Sequence, residues 1–476
     1  MDEKQEKLLK ALEDYYDEKD KNRVHTPGKD VIQHAGPYLR KEEFMAAIGT
    51  LLKEWMVQGE NAQKFENEFC KLMGQPYGVV TNSGSSANLL MLAALKSKNT
   101  FNLKKAKIIT PAFCFPTTLN PILQNGFEPV FVDVNLGDYN IDADAIENVI
   151  DKDCKVLFFS HNFGTPANMK KIMKIVDDYN LIFLEDNCDS LGSTFDGKPT
   201  GSFGLMSSCS FYPAHHITLG EGGFVACSDE KFARVVRSLR DWGRGCYCVG
   251  KKANESKVGT CGTRYTNWIE SMPDEIFDHK FVFGEIGYNL KPLDLQCAMG
   301  LEQIKRLDWF EKRRKENFES LYNYFKKYED YFILPKTDDE NKKINWFGFV
   351  LTLKDKSKFN RHDICDFYED HKISTRTFFG GNILLHPAYS EIVDYNIASK
   401  NYPNATKITT DSFILGTHPS IEIQDIEWIK KITDEFFGES VIFKDNLEVD
   451  AELIDVNLGT LNDIKVIYQG LSLIHI

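Results

Sequence analysis

The sequence contains no run of about 18 apolar residues, so no segment reads as a bilayer-spanning helix. It also lacks a run of lysine and arginine that would track phosphates, and a net charge of -13 argues against a nucleic-acid partner. The segment Met1–Asn22 is charged and has no apolar core of the kind a secretory signal carries. The expectation is a cytoplasmic protein with no membrane partner. Neither a G-x-G-x-x-G turn nor a Walker lysine motif is present, which removes support for a nicotinamide or nucleoside-triphosphate site. An anionic substrate would need a local basic pocket.

What is present is ordinary for a globular protein: 476 residues, 42% hydrophobic and 27% charged, enough for two or three domains. Helical spacing of Leu8, Leu9, Leu12, Tyr15 and Tyr16 predicts a helical arm within residues 1–45. Further helices are expected over Lys41–Trp55 and Asn61–Met73. From Gly78 onward the pattern changes to seven short apolar runs separated by helical segments: Gly78–Asn82, Ala106–Thr110, Pro129–Asp133, Lys155–Ser160, Leu181–Glu185, Ser208–Tyr212 and Gly223–Cys227. That alternation predicts an α/β fold with a mainly parallel sheet covered on both faces, over residues 46–300. Residues 243–278 form an irregular insertion, and a single long helix is expected from Asp294 toward Lys327. A smaller α+β domain spans 301–438, and 439–476 is a tail with no assigned role.

Several segments carry chemistry. Asn82–Asn88 places small residues where a strand gives way to a helix, so its amides and hydroxyls can meet a phosphate. Asp186 ends the fifth apolar run, where a carboxylate can hold a pyridine nitrogen protonated. The stretch Ser210-Phe211-Tyr212-Pro213-Ala214-His215 leads into Gly220-Glu221-Gly222-Gly223.

Together these segments resemble the sugar aminotransferases of the DegT/DnrJ/StrS family, of the fold type I pyridoxal-phosphate class, from about Lys29 to Phe437. The resemblance implies Ser85, Ser86 and Ser210 as phosphate contacts, Asp186 on the pyridine nitrogen and Phe115, in Pro111–Phe115, stacked on the ring. It also implies that Asn289, in Gly287-Tyr288-Asn289, reaches the cofactor phosphate of a second subunit, hence a homodimer. Asp189 stands where the family often has glutamine, and Lys291 where it has arginine. Most consequentially, His215 occupies the slot of the cofactor lysine. Imidazole cannot link covalently to the cofactor aldehyde and can only move protons, which points from transamination to dehydration.

Eleven cysteines in a chain of this type read as thiols, core residues or metal ligands rather than disulfides. Cys246 and Cys248 lie in the insertion with Cys261 beyond them, a spacing suited to an iron-sulfur cluster or to zinc. With Cys188 they are similar to the 2Fe-2S ligand set of the 3-dehydratases that act on CDP-4-keto-6-deoxyglucose in 3,6-dideoxyhexose biosynthesis. Cys297 is an alternative to Cys261, although its helical surroundings favour the core. Cys70, Cys114, Cys154, Cys209, Cys227 and Cys365 read as buried or incidental thiols.

That similarity implies untethered pyridoxamine or pyridoxal 5'-phosphate as cofactor and a CDP-4-keto-6-deoxyhexose as substrate. It further implies a 2Fe-2S cluster fed by a flavin and iron-sulfur reductase, with Arg240, Arg244 and Arg376 as candidates for the diphosphate. Two alternatives stay open. One is a cluster-free GDP-sugar dehydratase that regenerates its cofactor with glutamate; the other is a catalytically silent binding paralogue.

Overall fold

The computed structural model describes residues 2–246, 248, 261–355 and 357–454, with backbone alone over 439–454. Residues 1–426 form one compact unit and 427–476 a second. The tail from 455 and most of the insertion's centre, 249–260, lie outside the described residues.

All seven predicted apolar runs become strands of one sheet: β1 (Tyr77–Thr81), β2 (Lys107–Pro111), β3 (Glu128–Val132), β4 (Cys154–Ser160), β5 (Ile182–Asp186), β6 (Met206–Ser210) and β7 (Gly223–Cys227). Their order is β1-β7-β6-β5-β4-β2-β3, and only β7 runs against the rest. The strands are near-continuously apolar because both faces are covered. Alternate residues serve opposite faces: Phe158 packs in a core with Leu90 and Val236, whereas Leu157 and Phe159 pack in one with Ile172 and Ile175.

The helices follow their stripes. α1 (Glu3–Lys21) buries no residue, in keeping with an arm, and reaches α2 (Lys41–Leu51) through Tyr16 stacked on Phe44 at 4.8 Å. α3 (Glu60–Met73) buries Phe65, Phe69 and Met73, and ends on left-handed Gly74. α4 (Gly84–Lys96) is apolar nearly all round and therefore internal. Next come α5 (Pro116–Gln124), α6 (Met169–Asp178) and α7 (Glu230–Arg240).

The long helix expected from Asp294 is instead two, α8 (Asp294–Ile304) and α9 (Leu307–Phe325). The break falls at Arg306, whose guanidinium pairs with the fully buried Glu43 of α2. A four-stranded antiparallel sheet follows, from Phe332–Ile333, Phe349–Leu353, Arg376–Thr377 and Ser412–Leu415. Within the insertion, Tyr265–Thr266 and Phe277–Asp278 pair as a short ribbon where the sequence read only as irregular.

The topology gathers the chemistry at one sheet edge. Thr81 and Ser210 both register with Gly223, and Asp186 registers with Ser208. The carboxyl ends of β1, β5 and β6 and the start of β7 thus meet, where ligands bind in open α/β sheets.

Candidate active site

The turn from β1 into α4 is built as an anion cradle. Ser83 caps the helix, its Oγ accepting the Ser86 N–H at 3.1 Å and donating to the Ser86 hydroxyl at 3.0 Å. Gly84 and Ser85 then supply first-turn amides of the kind a helix leaves for a ligand. A Cβ on Gly84 would lie 2.5 Å from the Ser210 Cβ and 3.1 Å from the Cys188 Sγ. One on Gly223 would lie 2.1 Å from the Ser83 carbonyl oxygen. These two glycines allow α4, β6 and β7 to close together, which brings Ser85, Ser86 and Ser210 to a single place.

Asp186 lies beside that cradle, buried and held from four sides. Its Oδ2 accepts from the Asn88 amide at 2.7 Å and the Thr118 hydroxyl at 2.8 Å; its Oδ1 accepts from the Cys188 N–H at 3.2 Å and the Ser208 hydroxyl at 3.3 Å. Among the described residues it makes no ion pair. A buried carboxylate with only neutral donors is suited to a cationic ring nitrogen.

His215 is positioned by the β6–β7 connection. Its N–H donates to the Tyr212 carbonyl at 2.9 Å, and its own carbonyl accepts from Arg314 at 3.3 Å. The imidazole is inside the protein, its Nδ1 unbonded and 3.7 Å from an Asp189 carboxylate oxygen. Burial is the main influence and lowers its pKa to about 4, against the opposing charge of Asp186, so the ring is neutral near pH 7. Burial, reinforced by the Asp186 charge, raises Asp189 to about 8. A neutral base thus faces a protonated acid. His216 is structural, its Nε2 donating to the Asn345 carbonyl at 3.0 Å.

Phe115 caps α5 with half its surface exposed, its ring set edge-on to Phe379 at 5.8 Å. Asn289 is also exposed, on a segment fixed by the Asn82 N–H donating to the Leu290 carbonyl at 2.8 Å. Arg240 requires a correction as a diphosphate candidate. It is wholly buried and spent on Asp241 at 2.8 Å, the Val80 carbonyl at 2.8 Å and Glu66 at 3.3 Å. Arg376 stays exposed, and Arg244 lies over Trp242 at 4.5 Å.

The cysteines divide into two places. Cys246 and Cys248 gather with His279, their ligand atoms all within 4.8 Å, and Cys261 Sγ is 3.8 Å from His279 Nε2. Cys188 is not in that group of three; two residues past Asp186, its sulfur lies at the cradle, 3.7 Å from the Ser208 hydroxyl. Cys297 is fully buried in α8, a core residue.

Residues 37–433 match the DegT/DnrJ/EryC1/StrS aminotransferase family. The chain belongs to that family. It is 36% identical over 436 residues to the lipopolysaccharide biosynthesis protein RfbH of Salmonella typhimurium, covering 91% of this chain and 98% of that protein. It is also 36% identical over 438 residues to dTDP-4-dehydro-2,6-dideoxy-D-glucose 3-dehydratase of Saccharopolyspora spinosa, covering 91% and 92%. Among solved structures, E. coli GDP-4-keto-6-deoxy-D-mannose-3-dehydratase with bound hydrated PLP superimposes with a TM-score of 0.73 at 30% identity, over 84% of this chain and 99% of that one. The architecture is therefore that of the fold type I pyridoxal-phosphate enzymes. Its cradle, the unpaired Asp186 and the exposed Phe115 fit a phosphorylated, cationic pyridine.

The reading of the sequence included Ser83 and Asn88 in the phosphate turn without the bond from Asn88 to Asp186, and it missed Thr118, Ser208, Arg314 and His279. Ser83 alone carried a local signal, as a serine preceding a helix start. No helix among the described residues is long and apolar enough to cross a membrane.

Proposed function

We propose that this enzyme removes the C3 hydroxyl of a nucleoside-diphosphate-linked 4-keto-6-deoxyhexose, CDP-activated, in the biosynthesis of 3,6-dideoxyhexoses for O-antigen lipopolysaccharide. The carrying observation is His215: a neutral, largely enclosed imidazole where the family has its cofactor lysine, beside an otherwise intact pyridoxal-phosphate cradle. Support comes from relatives named as sugar-nucleotide 3-dehydratases.

When bound, pyridoxamine phosphate supplies an amine for the C4 ketone and a conjugated ring that takes up electrons. The amides at the start of α4, with Ser85, Ser86 and Ser210, would hold its phosphate. Asp186 would keep the ring nitrogen protonated, and Phe115 would offer its ring as a stacking surface. His215, kept neutral mainly by its burial, would take the proton from C4', with the protonated Asp189 beside it. Completing the 3-deoxy sugar takes two electrons, more than these side chains provide. The cysteines of the insertion would hold a 2Fe-2S centre, which would provide one-electron chemistry fed by a flavin and iron-sulfur partner.

The test is anaerobic turnover of CDP-4-keto-6-deoxyglucose by the pyridoxamine-phosphate-loaded, cluster-containing protein with a reductase of that class. A 3-deoxy product formed without glutamate is expected. Turnover only of GDP-4-keto-6-deoxymannose, with glutamate and no reductant, would replace this reading with the cluster-free one. Failure with every substrate would leave the silent paralogue.

The exposure of Asn289 and its tether to the phosphate turn support a homodimer in which it completes the neighbouring cofactor site. Sedimentation should show a dimer, and Asn289→Ala should weaken pyridoxamine phosphate binding. A monomer with full activity would exclude the shared site.

A further inference from the structure

We propose that Arg314 is the residue that positions the base: its guanidinium ties the main chain of His215 to residues 345–347 and so fixes where the imidazole stands. This rests on the reading of His215 as the base and names the side chain through which that base is aimed.

Arg314 projects from α9 and is 1% exposed, although arginine is ordinarily a surface residue. Its Nη1 donates to the Phe347 carbonyl at 3.0 Å and to the Trp346 carbonyl at 3.4 Å, and its Nη2 donates to the His215 carbonyl at 3.3 Å. A guanidinium fork reaches two carbonyls in fixed directions, which the point charge of an ammonium does not. The far end of this tie is itself anchored. The Asn345 N–H donates to the Ser193 hydroxyl at 2.9 Å, its side-chain amide to the Leu191 carbonyl at 2.8 Å, and the Phe347 N–H to the Phe163 carbonyl at 3.2 Å. Those partners follow β4 and β5, so the anchor belongs to the sheet that carries Asp186. The Phe347 ring then stands 5.2 Å from the His215 ring and 5.9 Å from the guanidinium carbon. One anchored segment thus grips His215 twice, at its carbonyl through Arg314 and at its ring through Phe347.

Packing alone does not account for an arginine here. Among the described residues no carboxylate pairs with it, and burial alone pushes it down to about 9. A buried charge without a counter-charge is destabilising, and an apolar side chain of similar length would fill the same space without that penalty. The charge also reaches the base. Around the imidazole stand Asp186 and Asp189 from the end of β5 and the turn after it, His216 from its own loop, and Arg314 from α9. Burial is the main influence lowering His215; Arg314 acts in the same sense, against Asp186 and a bond to the Cys188 main chain.

The experiment is a double-mutant cycle on the full-length protein, with Arg314→Met, His215→Asn and the two combined, read by exchange of the C4' proton of bound pyridoxamine phosphate and by affinity for that cofactor. Arg314→Met should slow exchange by about 100-fold, the effect of a misplacement of about 1 Å, and leave cofactor affinity within about tenfold. On the His215→Asn background the same change should slow exchange by no more than about twofold, because no base is left to aim. In the cofactor-free protein, NMR of labelled histidine should show His215 titrating near 4, at a higher pH in Arg314→Met and unmoved in Arg314→Lys, which keeps the charge and loses the fork. Arg314→Lys takes the place of Arg314→Met in the cycle if the latter does not fold. Equal slowing on both backgrounds, a loss of cofactor affinity as large as the loss of exchange, or an unmoved His215 titration in Arg314→Met would make Arg314 a structural residue and overturn the proposal while leaving His215 as the base. Wild-type exchange in His215→Asn would remove the base itself, and the proposal with it.

Discussion

Replacing His215 by asparagine is expected to slow exchange of the cofactor C4' proton by about 100- to 10,000-fold, the usual cost of losing a general base. Pyridoxamine phosphate should still bind, because the α4 cradle and Asp186 do not depend on the ring. The substituted residue would keep the bonds to Tyr212 and Arg314, which are made by main-chain atoms. The pH profile carries the same signature. With burial lowering His215 to about 4, exchange should be lost only as pH falls through that value. Ionisation of Asp189 near 8, 3.7 Å from the ring, strengthens the base, so the rate should step up there, and the step should vanish in Asp189→Asn. His215→Lys is the sharper variant. It restores an amine able to link to pyridoxal phosphate, so a covalent absorption band should appear and most dehydratase activity should disappear. Wild-type exchange in His215→Asn would move the role to another group.

The parts of this protein legible in its sequence are those with a period or a fixed local context. Seven strands could be read because a sheet buried on both faces needs unbroken apolar runs such as Val156–Phe159. His215 and Asp186 stood out because the segments around each were intact. What escaped notice depends on contacts across the fold. Asn88, Thr118 and Ser208 come from two helices and a strand, and nothing in their spacing shows that they converge on one carboxylate. Arg314 sits within Glu311–Lys315, where no neighbour in the sequence shows that this one side chain turns inward. It is fully buried, pushed down to about 9 by that burial, and donates to the carbonyls of Phe347 at 3.0 Å and His215 at 3.3 Å. Arg240 misled for the complementary reason: a guanidinium near a glycine-rich insertion looks like a phosphate ligand until Glu66 and Asp241 are seen to claim it. His279 was hidden because its partners are separated from it by a ribbon too short to leave a strand pattern.

Asp186→Asn should be as damaging as loss of the base, but through binding. Each carboxylate oxygen of Asp186 accepts from two donors, Asn88 and Thr118 on one, Cys188 and Ser208 on the other. An amide in either orientation therefore points its NH2 at two donors. The clash leaves buried donors unsatisfied, at about 1–3 kcal/mol for each bond lost, and lowers the melting temperature of the cofactor-free protein. The cofactor suffers separately. The ring nitrogen loses its counter-charge in a buried site, a break that costs about 3–5 kcal/mol, or roughly 100- to 5,000-fold in affinity for pyridoxamine phosphate. Thr118→Val provides the control, since it removes one donor and keeps the charge. It should cost stability yet leave cofactor affinity within about tenfold of wild type. Equilibrium dialysis with pyridoxamine phosphate, alongside thermal unfolding of the same samples, separates the two effects. Unchanged affinity in Asp186→Asn would mean that the carboxylate organises the sheet edge without touching the ring.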